Sequence, residues 1–208
     1  MTRILAFGDS LTWGHRPEDG QRHPPECLWP NVLAEKLGVE VISEGLGGRT
    51  TAFDDHTGPC CRNGAKVLPI LLHSHIPLDL VIIMLGTNDL KPAVVGTAEG
   101  ATAGMKRLVQ IVQCHPYQGL SVAPKVLVVA PPPCVIGPDG KTAATRDVAE
   151  THRLAPLYKE MTQAMGVAFW DAGCVAEASP IDGVHLDSAS TAAIGAGLEA
   201  PVRALLSL

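Results

Sequence analysis

The chain has 208 residues, of which 46% are hydrophobic and 18% charged, and its formal net charge is −5. That composition supports a sizeable core and excludes a disordered chain. It argues against a nucleic-acid surface, which needs a basic stripe, and no apolar run approaches the roughly 20 residues of a membrane-spanning helix.

Residues 3–7 (RILAF) read as a buried strand that ends in Gly8-Asp9-Ser10. Residues 29–37 have helical spacing, with Val32, Leu33 and Leu37 on one side and Gly38 as the stop. Residues 39–43 alternate as a second strand, and 44–59 form a loop rich in Gly, Thr and Asp. A helix is expected over 61–75 despite Pro69. Residues 79–84 (DLVIIM) are nearly all apolar, as suits a central parallel strand covered on both faces. A helix over 97–114 and a strand over 125–130 follow. Residues 131–143 hold three consecutive prolines, Cys134 and a Gly-Pro-Asp-Gly turn, and read as a lid or a subunit contact, with the apolar Val135 and Ile136 favouring the contact. A helix over 144–164, a strand over 167–170 and a helix over 188–206 complete the chain. Strand and helix alternate five times, which implies an α/β domain over 1–208 with a five-stranded parallel sheet between two helical layers.

The start of the chain enters a strand without the apolar h-region of a signal peptide, so a cytoplasmic protein is expected. There, the six cysteines should be reduced rather than paired. His56, Cys60, Cys61, His73 and His75 match no zinc-ligand spacing, and no metal site is expected of them. Gly45-x-Gly47-Gly48 is followed by an irregular loop, not a helix, so it is no dinucleotide fingerprint.

Four stretches follow strands and should converge on one edge of the sheet, where such folds bind ligands. They are Gly8-Asp9-Ser10-Leu11, Gly47-Gly48-Arg49-Thr50, Gly86-Thr87-Asn88-Asp89 and Asp182-Gly183-Val184-His185. Each alone is an ordinary turn. Together they supply a hydroxyl, an imidazole to take its proton, a carboxylate to orient that ring, and N–H donors for an oxyanion. Ser10 would be the nucleophile, His185 the base and Asp182 its orienting acid. The N–H of Ser10, the N–H of Gly48 and the amide of Asn88 would form the oxyanion hole, with Gly47 leaving the glycine register open by one residue. Asp9 reads as a cap of the following turn, and Arg49 and Asp89 as structural partners near the site. Trp13 is a candidate pocket residue. Trp29 is a packing residue before it is a substrate contact.

These blocks resemble the SGNH hydrolases, the GDSL family of esterases and lipases, over essentially the whole chain. Phe7 to Leu11 is similar to the first block, Gly48 to the glycine of the second, Gly86 to Asp89 to the third, and Asp182 to His185 to the fifth. Thr12-Trp13-Gly14, Glu44 to Leu46 with Arg49 to Thr51, and Leu78 to Asp89 resemble the arylesterase and acyltransferase branch. The resemblance implies a flavodoxin-like, doubly wound three-layer α/β/α fold. It also implies hydrolysis of short-chain and aryl esters without a metal or organic cofactor, and acyl transfer to alcohols in some members. Members of that branch are cytoplasmic homo-oligomers, often octamers. A carbohydrate acetylesterase would use the same triad. A flavodoxin-like binding protein would turn over no ester, and its ligand binding would survive Ser10→Ala.

Overall fold

A computed structural model describes residues 2–117, 119, 122–140 and 145–208. Five strands form one sheet: β1 (Arg3–Gly8), β2 (Glu40–Gly45), β3 (Leu80–Met84), β4 (Lys125–Ala130) and β5 (Ala168–Asp171). Their order is β2-β1-β3-β4-β5, and every pairing is parallel. This is the flavodoxin-like doubly wound order, whose winding reverses between β1 and β3.

Side chains alternate along each strand, so one strand feeds two cores. Leu5, Phe7, Val81, Ile83, Val126 and Val128 face α3 (Gly64–His75), α4 (Ala98–Cys114) and α5 (Val148–Met165). Ile4, Ala6, Ile82, Met84, Leu127 and Val129 face the other layer. That layer comprises the single turn α1 (Ser10–Trp13), α2 (Trp29–Leu37), α6 (Ser188–Gly197) and α7 (Glu199–Leu206). All five residues of β3 are buried, as its unbroken apolar sequence requires.

Most expected boundaries hold within a few residues, and the departures have local causes. The second strand runs on to Gly45, two residues into the stretch expected as loop. The helix expected from 61 starts at Gly64, because the Asn63 side chain caps it by accepting from the Ala65 N–H. In the same way Asp147 caps α5, so helix begins at Val148. Residues 141–144, where the expected loop 131–143 meets the expected helix 144–164, lie outside the described residues. The single helix expected over 188–206 is two, divided at Leu198. Pro201 has no N–H to donate to Gly197, so the ladder breaks there. No helix among the described residues is long and apolar enough to cross a membrane.

The sheet centre carries the fold's stability. Ile82→Ala removes a fully buried side chain from the central strand. It should lower the unfolding free energy by about 2–5 kcal/mol, read from urea denaturation, because the surrounding side chains fill such a void only in part.

Candidate functional site

The carboxyl ends of β1 and β3 flank the point where the winding reverses, and the candidate residues gather there. Asp9 caps α1 through its Oδ1, which accepts from the Leu11 N–H at 2.9 Å. The turn is tight. A Cβ on Gly8 would lie 1.9 Å from Thr12 Oγ1. Ser10 is thus the first helical residue. Among the described residues, the backbone N–H groups of Ser10 and Gly48 have no hydrogen-bond acceptor. The first turn of a helix leaves such N–H groups free and carries partial positive charge.

His185 Nε2 lies 3.0 Å from Ser10 Oγ, and its Nδ1 lies 2.5 Å from Asp182 Oδ2. The second carboxylate oxygen, Oδ1, accepts from the Val184 and His185 backbone N–H groups, both at 2.9 Å. Burial works against the Asp182 charge. The His185 hydrogen bond and the two amides outweigh it and bring the carboxyl down to about 2. Asp182 is therefore ionised at neutral pH and accepts the proton-bearing nitrogen of His185. That leaves the Nε2 lone pair facing the Ser10 hydroxyl. The loop carrying the pair is braced, since Ser179 N–H donates to the His185 carbonyl and Val135 N–H to the Gly183 carbonyl. The start of the proline-rich loop thus supports the Asp182 turn. The rest of the lid-or-contact question falls partly on 141–143, outside the described residues.

Asn88 is buried, and its amide is fully engaged. Nδ2 donates to Asp9 Oδ2 and to the Arg49 carbonyl, both at 3.1 Å. Its Oδ1 accepts from Arg146 Nη2 at 3.0 Å. Arg146 is a residue the sequence did not single out. It is buried, and its Nε also donates to the Thr87 carbonyl. It sits just before α5, in a stretch read as ordinary helix, and no local motif marks it. His15 was also missed. Its ring stacks on that of His185, with centroids 3.9 Å apart and planes at 34°. His23 joins the same loop to the triad loop, with its Nε2 2.9 Å from the Leu186 carbonyl oxygen.

Of the remaining candidates, Gly48 has φ 80°, and a Cβ there would lie 2.7 Å from the Arg62 guanidinium carbon. Gly47 has open space at the same position. The demand for glycine therefore falls on Gly48. Trp13 is half-buried, with its ring 6.3 Å from His15 and the Arg22 guanidinium over its face. Trp29 is fully buried and donates from Nε1 to Thr12 Oγ1, so it is core. Arg49 donates to the carbonyls of Gly8 and Glu44 and lies over the Phe7 ring, which ties the ends of β1 and β2 together.

Asp89 accepts from the Thr51 N–H and from Thr51 Oγ1 at 2.5 Å, which fastens the loop after β2 to the end of β3. Burial pushes its carboxyl up to about 7 against those bonds. Burial likewise raises the carboxyl of Asp9. The zinc-like cluster does not assemble: His75 pairs with Glu44, and His73 lies against His115. Among the described residues, His15, Asp182 and His185 are the one group whose ligand atoms converge.

A carboxyl raised by folding stabilises the fold fully below its unfolded pKa, and that share is lost as pH rises through its folded pKa. For Asp89 the window runs from 3.8 to about 7. Across it, the wild-type melting temperature should fall relative to Asp89→Asn as pH rises. Parallel melting curves of the two proteins at pH 4 to 8 would rule this out.

Comparison with known proteins agrees with the geometry. Residues 6–192 match the GDSL-like Lipase/Acylhydrolase family. A protein of Agrobacterium tumefaciens str. C58 proposed to be an arylesterase is 58% identical, with TM-score 0.97, over 99% of this chain and all of that one. A carbohydrate acetylesterase family member from Sinorhizobium meliloti is 47% identical, with TM-score 0.97, over the full length of both chains. The aryl esterase of M. smegmatis is 43% identical, with TM-score 0.92, over 99% of this chain and all of that one. Among curated proteins, none matches the chain. The chain belongs to the GDSL-like lipase and acylhydrolase family and is a carboxylic ester hydrolase of the SGNH fold.

Proposed function

We propose that the protein hydrolyses short-chain and aryl esters by double displacement through an acyl group on Ser10. The observation that carries this reading is the continuous chain Ser10–His185–Asp182, with contacts of 3.0 and 2.5 Å. His185 Nε2 takes the Ser10 proton as Oγ attacks the ester carbonyl. Asp182 holds the ring and stabilises the imidazolium. His185 then passes the proton to the leaving alcohol or phenol. Water attacks the acyl group with His185 again as base, and Ser10 regains its proton.

The oxyanion would be met by the N–H groups of Ser10 and Gly48 and by Asn88 Nδ2. The first two are free to donate. Asn88 must exchange part of its bond to Asp9 or Arg49 for the oxyanion, so its role is expressed only as charge develops. Arg146 is a positioning residue that fixes the amide by holding Oδ1. No step in this scheme draws on a metal or organic cofactor.

The names of the A. tumefaciens and M. smegmatis relatives support aryl esters. The S. meliloti relative supports a second reading, removal of acetyl groups from sugars with the same triad. Transfer to alcohols would need only that an alcohol replace water in the second step. Trp13, beside His15 at the rim, is the candidate wall of the acyl pocket. Ile136, Val175 and Ile181 are exposed, and Ile181 directly precedes Asp182; such exposed apolar side chains support a homo-oligomer, an octamer in the reading the resemblance suggests. The expected compartment is the cytoplasm.

Hydrolysis of 4-nitrophenyl esters from C2 to C12, with acetylated sugars alongside, tests the reading. Short chains should be cleaved fastest, and Ser10→Ala should lose on the order of 10⁴- to 10⁶-fold in kcat. A Ser10→Ala protein with wild-type rates would falsify the triad. New ester formed in added alcohol would establish acyl transfer. Asn88→Ala should lower kcat by about 10²- to 10³-fold if its amide meets the oxyanion. A drop below tenfold would remove it from that role.

A further inference from the structure

His15 stands against the triad, yet ester hydrolysis as described assigns it no task. Its backbone N–H donates to the Ser10 carbonyl at 3.0 Å, and the residue bridges to Arg22 across the following loop. The chain thus delivers a second imidazole onto the face of the first. One ligand atom from each of His15, Asp182 and His185 lies within 4.8 Å of the others, and all three residues are partly exposed. Solvent can reach the group.

Two imidazoles and one carboxylate form a donor set suited to zinc, with a fourth position left for water. The set is too rich in nitrogen for Mg²⁺ or Ca²⁺, which favour oxygen ligands. Late first-row divalent ions bind such sites most strongly, with Cu²⁺ at the top of the series. Each nitrogen of His185 already has a partner, Asp182 at Nδ1 and Ser10 at Nε2. A cation taking a lone pair of this ring must therefore displace a hydrogen bond of the triad.

We propose that His15, Asp182 and His185 form an inhibitory site for Zn²⁺ or Cu²⁺, in which the cation occupies the imidazole that would otherwise accept the Ser10 proton. Neutral imidazoles and an ionised carboxylate donate their electron pairs, and no covalent bond of the protein breaks. The bound ion removes the base, so Ser10 keeps its proton and the ester is not attacked. Chelation restores the enzyme. The inhibition rests on the reading of His185 as base, whereas the binding does not.

The test titrates Zn²⁺ against hydrolysis of 4-nitrophenyl acetate in a non-coordinating buffer, and in parallel follows Zn²⁺ binding to Ser10→Ala by calorimetry. Zn²⁺ should inhibit and EDTA reverse it, while Mg²⁺ and Ca²⁺ at the same concentration leave the rate unchanged. His15→Gln, and His15→Phe, which keeps the aromatic stack, should raise the half-inhibiting concentration by about tenfold or more. Each rate is taken relative to that variant's own metal-free rate, and melting curves confirm folding. Cys60→Ser/Cys61→Ser removes two exposed thiols, a ligand type zinc favours, and should leave the inhibition intact. In the calorimetric arm, Ser10→Ala should bind Zn²⁺ and Ser10→Ala/His15→Gln should bind it at least about tenfold more weakly. Equal sensitivity of wild type and His15→Gln overturns the proposal, as does its loss in the cysteine variant. So does the absence of zinc binding by Ser10→Ala at millimolar metal. If the wild type cleaves no ester, the esterase reading fails while the calorimetric arm still decides the metal site.

Discussion

One buried side-chain amide holds the site together. Asn88, at the end of β3, donates to Asp9 after β1 and to the Arg49 carbonyl after β2, and accepts from Arg146 before α5. Four separate segments of the chain meet at this one group. A buried amide left without partners would cost roughly 1–3 kcal/mol per lost bond, so the loops are held to a single arrangement. Arg49 adds a second tie, from a buried guanidinium to the carbonyls that end β1 and β2. Ser10 inherits its position from these contacts. Its own cap, Asp9, spends one oxygen on the helix start and the other on Asn88.

Three aspartates around the site show how environment sets charge. Asp182 is half-buried but receives a histidine and two amides, and its carboxyl lies at about 2. Asp9 and Asp89 are deeply buried, and desolvation raises both. The chemistry follows this division. An ionised Asp182 accepts from His185 Nδ1 and fixes the orientation of that ring. Asp9 and Asp89 are fasteners, and a carboxyl that gives up its charge readily is suited to a site where charge is costly. Asp89 holds Thr51 and with it the loop that carries Gly48.

The family match and the fold place the protein among ester hydrolases, and the relatives it matches along their length carry two different substrate names. Arylesterase and carbohydrate acetylesterase relatives share the fold. At the rim of this site Trp13, the last residue of α1, neighbours His15 in the loop that follows. The His15 ring in turn lies against that of His185.

Much of this was legible in the sequence for a physical reason. A parallel strand buried on both faces is written as an unbroken apolar run, and β3 shows it. A turn that must start a helix or admit a close neighbour is written as Gly, Asp, Ser or Asn, and those residues mark the strand ends. Ser10, Asn88, Asp182 and His185 could therefore be nominated in chain order before any coordinates. The break at Leu198 was also encoded, in Pro201, but a continuous helical pattern concealed it. Other features have no local signal. Arg146 comes from 58 residues beyond Asn88 to reach its Oδ1, and nothing around it in the chain announces that. His15 is a loop histidine until the fold lays it on a residue 170 positions away. Local chemistry and periodicity are properties of neighbours in sequence, and these set the strands, the turns and the reacting groups. The positioning contacts, the perturbed carboxyls and the stacked imidazoles are properties of neighbours in space, and only the packed sheet with its converging loops decided them.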